Sequence, residues 1–239
     1  MRRGGTESAV VEGSLAVALT AAAVLHIAGA GPVDPLRTVI SDYVVVPGGY
    51  ALLALAAAAL ATASVAAAVG LCRSGLPRPR LPAALLASGA VAVFVAGLVP
   101  TNLPGHPVGL GAQIHRVGGG WTFVALPLAG WLIARRAFAT TGAWRAAAPG
   151  LRTGAAVAAT VTAAFLLVQI GIVIPGSPTF PYIGGMERVV CATVMVVLLT
   201  IAWTMRATAM SSAAAVTPAA PATVPDDVPV ALDVLGRAA

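Results

Sequence analysis

Few residues of this 239-residue chain can do chemistry, and they fall in three short segments. The first holds His26, Asp34, Arg37, Ser41 and Asp42. The second holds Asn102, His106, His115 and Arg116, and the third Glu187 and Arg188. Asp, Ser and His could together hold a metal and activate water, with His26, His106 and His115 as the candidate ligands. Zinc would want three protein ligands and an open position. Ser41, His115 and Asp42 could instead form a Ser-His-Asp triad, although Ser41 lacks the strand-turn-helix setting of a nucleophile elbow. A third reading is not catalytic. Three acids (Asp34, Asp42, Glu187) meet three bases (Arg37, Arg116, Arg188), which suits paired charges at the edge of a low-dielectric layer. Glu187 is expected to pair with Arg116 or Arg37. For His26 and for the Glu187-Arg188 dipeptide, packing and structural ion pairing outweigh ligation or catalysis.

What must position these groups is a set of membrane spans. A hydrocarbon core about 30 Å thick needs roughly 20 apolar residues in helical form. Apolar stretches of that length occur at about 11–31, 48–71, 81–100, 117–134, 153–174 and 189–205. Only 9% of residues are charged, against about 25% in soluble domains. The fold expected is all-α: a bundle of six transmembrane helices, with no room for a separate soluble domain. Residues 1–10 form a cytoplasmic N-terminus, 11–206 the transmembrane domain and 207–239 a disordered cytoplasmic tail carrying Pro218, Pro221, Pro225 and Pro229. The net charge of +6 does not point to nucleic acid, because the arginines sit at span ends, where they set topology.

Counting alternate sides, Arg2, Arg3, Arg73, Arg78, Arg80, Arg135, Arg136, Arg145, Arg152, Arg206 and Arg237 share one side, and only Arg37, Arg116 and Arg188 lie on the other. The positive-inside rule places the first side, with both termini, in the cytoplasm. The absence of Lys suggests a GC-rich bacterial genome and hence a bacterial inner membrane. Met1-Arg2-Arg3 ahead of an apolar run faintly resembles a secretory signal, but Glu7 and Glu12 interrupt it, and an uncleaved first helix is expected. Cys72 and Cys191 fall towards opposite sides, so no disulfide is expected.

Asp34-Pro35 reads as a helix start, with Asp capping and Pro in the first turn. A short interfacial helix is expected from Pro35 to about Tyr43, with Thr38, Ser41 and Asp42 on one face. Gly118-Gly119-Gly120 follows His115-Arg116 at the start of the fourth span. Three glycines there lower helix propensity and allow close approach of another backbone or of a ligand; tight packing is the weightier account.

The segments DPLRTVISDY, LVPTNLPGHPVGLGAQIHR and GGMERVV together resemble a six-span integral membrane family of bacteria and archaea, the domain of unknown function 998. The resemblance covers about residues 14–206. It implies a six-helix membrane protein and brings no established activity. The family often has an acid after Pro-Thr where this chain has Asn102, so any role of that acid as ligand or base would be weakened here.

The leading expectation is a non-enzymatic membrane protein that binds a lipid, a small molecule or a partner at its extracytoplasmic face. His26, Asp34, Arg37, Ser41, Asp42, Asn102, His115, Arg116, Glu187 and Arg188 would form the polar cluster. The alternative is a membrane-embedded hydrolase of a lipid amide or ester, the one reading that would take zinc; otherwise no cofactor is expected. A small-solute transporter ranks third, because spans two, three and five offer almost no polar side chains. There is no phosphate loop, dinucleotide fingerprint, HExxH or cysteine knuckle. Oligomeric state is not legible in the sequence.

Overall fold

Ala- and Leu-rich runs lose little on entering a helix, and six of them do so here. The computed structural model describes residues 3–99, 101, 109–173 and 180–216. The helices are α1 (Arg3–Ala28), α2 (Gly49–Arg73), α3 (Arg80–Leu98), α4 (Leu110–Ala137), α5 (Gly142–Val173) and α6 (Ile183–Val216). All six are long and apolar enough to cross a membrane, which makes this a multi-pass membrane protein. Consecutive helices pack side by side, α1 closes the ring against α6, and α6 also touches α2 and α4. The described residues contain no strand.

The helices outrun the apolar stretches that mark them. α5 begins at Gly142 rather than near 153, and α6 continues past Arg206 to Val216. Hydropathy sees the hydrocarbon core, whereas helix persists wherever Ala and other good formers continue. The tail expected from Ala207 is therefore helical to Val216, and residues 217–239 lie outside the described residues. α1 likewise starts at Arg3, within the segment expected to precede the first span.

Pro127 sits inside α4 and has no N–H to give the carbonyl four residues earlier. That carbonyl, of Phe123, accepts instead from the Thr162 hydroxyl of α5 at 3.1 Å. A neighbouring helix thus satisfies a group that lipid could not. Gly118 shows close packing at the other end of α4, since a Cβ there would lie 2.8 Å from the Ala92 carbonyl oxygen of α3.

The bundle has two chemically different ends. One carries the start of α1 and the ends of α2 and α6, with Glu7–Arg73 pairing α1 to α2 and Glu12–Arg206 pairing α1 to α6. The other carries His26, the start of α6 and the α1–α2 connection. A short helix does follow the first span, but it is a 3-10 helix at Ile40–Val45. Asp34 caps as expected: its Oδ1 accepts from the Leu36 N–H at 2.9 Å and, more weakly, from that of Arg37 at 3.4 Å. The turn it starts does not propagate. The Leu36 carbonyl accepts from the Gly185 N–H and the Thr38 carbonyl from Arg188, both on α6. Val39 is extended, in a β-branched run that resists helix. Cys72 and Cys191 are free.

Candidate functional site

The first turn of α6 organises the end that carries the histidines. Gly184 has no side chain there because a Cβ would overlap the Thr38 backbone. That close approach lets three backbone groups of the α1–α2 connection bond to α6. Leu36 O takes the Gly185 N–H, Thr38 O takes Arg188 Nη1, and the Ile40 N–H donates to Glu187 Oε2. Glu187 is thus satisfied by a backbone N–H. The described residues show no ion pair from it to Arg116 or Arg37, contrary to the sequence expectation.

Arg188 is the hub. Its Nε donates to His26 Nε2 at 2.7 Å, its Nη1 to Thr38 O and Gly184 O at 2.9 and 2.8 Å, and its Nη2 to the Tyr43 hydroxyl at 3.2 Å. The guanidinium also lies 5.6 Å from the centre of the Tyr43 ring. His26 donates from Nδ1 to the Ala22 carbonyl at 2.6 Å, which fixes the tautomer and leaves Nε2 as an acceptor. Every one of these partners is uncharged, and no carboxylate forms a salt bridge with Arg188 among the described residues. Tyr43 is 1% exposed, with its ring 5.0 Å from that of His26.

His115 belongs to the next layer. Its Nδ1 donates to the Ala96 carbonyl at 2.7 Å, with Val99 O at 3.2 Å. These carbonyls at the end of α3 would otherwise lack intrahelical partners. Asp42 lies on the 3-10 helix near Arg116 and His115. Burial raises its carboxyl above the ordinary 3.8, opposed by the nearby Arg116 and His115 and by a backbone hydrogen bond at Val39. Asp34 and Arg37 form only a local pair, 3.5 Å apart and exposed.

Between these layers is a cavity of about 280 Å³. His26, Ser41, His115 and Arg188 reach it from four elements, with Tyr50, Thr101 and Cys191. Most of its wall is apolar, including Leu19, Leu53, Leu60, Phe123 and Met195. Gly119 opens onto it, and a Cβ there would meet nothing within 4 Å. The three glycines thus divide their work: Gly118 packs against α3, while Gly119 leaves space.

The structure brings His26, Ser41, His115 and Arg188 around one space, with Asp42 and Glu187 beside it. Asp34 and Arg37 stay outside on the surface. Asn102 and His106 lie outside the described residues. Two catalytic arrangements lose their geometry. The His115 nitrogen that an Asp would orient in a triad is bonded to main-chain carbonyls rather than to Asp42. Both nitrogens of His26 are engaged, so neither is left for a metal, and no three His, Cys, Asp or Glu among the described residues are grouped to hold one.

Tyr43, Thr38 and Gly184 were not singled out from the sequence as Arg188 partners. Two of the three contribute through the backbone, which carries no residue-type signal. Gly184-Gly185 ahead of Glu187-Arg188 was the available clue. The Glu7–Arg73 and Glu12–Arg206 pairs were also missed, because counting arginines by side says nothing about which acid each one meets.

A family model described as "Protein of unknown function (DUF998)" matches residues 14–204. No curated protein and no solved structure matches the chain.

Proposed function

The chain belongs to the DUF998 family of proteins of unknown function, and we propose that it binds one amphipathic molecule, a lipid or lipid-like small molecule, in the cavity beneath Arg188. The observation that carries this reading is the cavity's polarity. Its wall is apolar for most of its extent, and its few hydrogen-bonding groups, Arg188, His26, His115 and Ser41 among them, converge from several elements. Ligand sites characteristically combine an apolar lining with a few convergent polar groups. At roughly 30 Å³ per water-sized group, the space takes about nine such groups, enough for a medium acyl chain. The polar head would lie near Arg188, whose hydrogen bonds all go to neutral acceptors.

The same reading places the site on the extracytoplasmic face of the cell membrane, with both termini in the cytoplasm. The arginine asymmetry supports this orientation. In a Cys72→Ser, Cys191→Ser background, a cysteine introduced at exposed Thr141, between α4 and α5, should react with a membrane-impermeant maleimide only after permeabilisation. Reaction in intact cells would reverse the orientation.

Gly119→Leu tests the site. It fills the cavity from a position with open space and removes a helix-weakening glycine. Binding of decanoic acid and of 1-decanol to detergent-purified protein should fall at least about tenfold in this variant, a loss of about 1.4 kcal/mol, while its melting temperature holds or rises. Equal binding by wild type and Gly119→Leu would sink the reading.

A further inference from the structure

The arginine-rich end has a feature that topology does not explain. Phe138 follows α4, and Arg145 and Arg152 stand seven residues apart on α5, close to two helical turns and so on one face. Their guanidinium carbons lie 5.2 and 5.3 Å from the centre of the same Phe138 ring. Arg145 also donates to the Phe138 carbonyl. Trp144, 3% exposed, donates from its indole to the Ser74 carbonyl at 3.1 Å and ties this turn to the end of α2. One arginine over a ring is ordinary cation–π stacking. Two on one ring are like charges held within about a Debye length of each other. Neither is in a salt bridge among the described residues.

Both side chains are exposed and lie in the first part of α5, at the end where its membrane-length apolar helix begins. Stacking restricts both guanidiniums before anything binds, so an anion that bridges them loses less conformational entropy on ordering the site. A guanidinium donates in a fixed fork that matches phosphate oxygens. We propose that Arg145 and Arg152, arranged on Phe138, bind the phosphate headgroup of an acidic phospholipid, a site separate from the cavity at the opposite end. The commitment to a lipid rests on the span beside the pair, which places an acyl chain against α5 while the headgroup reaches both forks.

The test is native mass spectrometry of the full chain in detergent, with phosphatidylglycerol or phosphatidylcholine added. Wild type should retain phosphatidylglycerol over phosphatidylcholine. The double variant Arg145→Gln, Arg152→Gln should lose that preference by roughly tenfold or more. A control double variant at exposed Arg80 and Arg135, with the same charge change at the same end, should keep it. Phe138→Leu, which retains both charges but removes the platform, should fall in between, so the proposal stays testable should the double variant fail to fold. Equal loss in the two double variants would reduce the effect to diffuse attraction and overturn the site. Displacement of the lipid by millimolar inorganic phosphate would overturn the lipid as its occupant. Retention seen only after Asp226→Asn with Asp227→Asn would make the chain's own acidic tail the occupant, and would likewise overturn it.

Discussion

The two ends of the bundle neutralise charge in opposite ways. At the arginine-rich end, Arg73 and Arg206 meet carboxylates, Glu7 and Glu12, across helix boundaries, and the two arginine side chains are 50% and 58% exposed. Each acid keeps one oxygen, Glu7 Oε2 and Glu12 Oε1, buried with no partner among the described residues. At the opposite end Arg188 forms no salt bridge among the described residues. Its charge is spread over an imidazole lone pair, a phenol and two carbonyls. Arginines as exposed as Arg73 and Arg206 gain little from a simple ion pair. The part-buried Arg188 is held by several acceptors at once, with backbone carbonyls supplying two of the dipoles. The neutral-partner end should therefore be the more demanding of the two.

The largest effect should come from Arg188. Arg188→Ala leaves the Thr38 and Gly184 carbonyls, His26 Nε2 and the Tyr43 hydroxyl without their donor, and should cost about 3 kcal/mol or more. Arg188→Lys should recover less than half of that, because one ammonium cannot reproduce the fork. Denaturant unfolding in detergent measures both. Full rescue by Lys would mean that charge alone matters, and the contrast between the ends would collapse.

Much of this contrast was hidden in the sequence, while the architecture was open to view. Six apolar runs and their flanking arginines report directly on the hydrocarbon layer, so number and order of spans follow from hydropathy. Asp34 announced its capping role because an Asx cap is local. Arg188 did not announce its partners, because Thr38 and Gly184 act through carbonyls that any residue would present. The pairing expected for Glu187 was wrong for the same reason: a backbone N–H, that of Ile40, competes with arginines as a partner and leaves no compositional trace. The cavity could not be read at all, since open space is the residue of how five helices and a 3-10 turn fail to fill one place.

Gly184→Ala probes the same end through the backbone. Its Cβ would push the Thr38 segment of the connection away from α6, loosening three inter-segment hydrogen bonds at a cost of about 1–3 kcal/mol. Hydrogen exchange should show Ile40 and Gly185 amides losing protection while the helix interiors keep theirs. Unchanged protection at both amides would show that the clasp does not depend on this contact.

Arg206→Ala should cost less than about 1 kcal/mol, and the loss should shrink further at high salt. Gly184→Ala should show no such salt dependence, because no ion pair is involved there. If Arg206→Ala were the costlier of the two, the buried oxygen of Glu12 would be the reason, and the ranking of the ends would reverse.

The smallest effect tests the border between the two styles. Arg116 and His115 beside Asp42 act to lower its carboxyl, yet burial outweighs them and raises it above the ordinary 3.8. A raised folded-state value means that the protonated form is favoured by folding. That contribution is present below the unfolded value and is lost as pH rises through the folded one. Stability of wild type should therefore decline modestly on going upward from about pH 4, on top of whatever other groups contribute. Asp42→Asn should remove that part of the slope and leave the rest. A variant with the same slope as wild type would place Asp42 with the solvated, ion-paired groups, and would move the boundary between the two regimes inward, to His115 and Arg188.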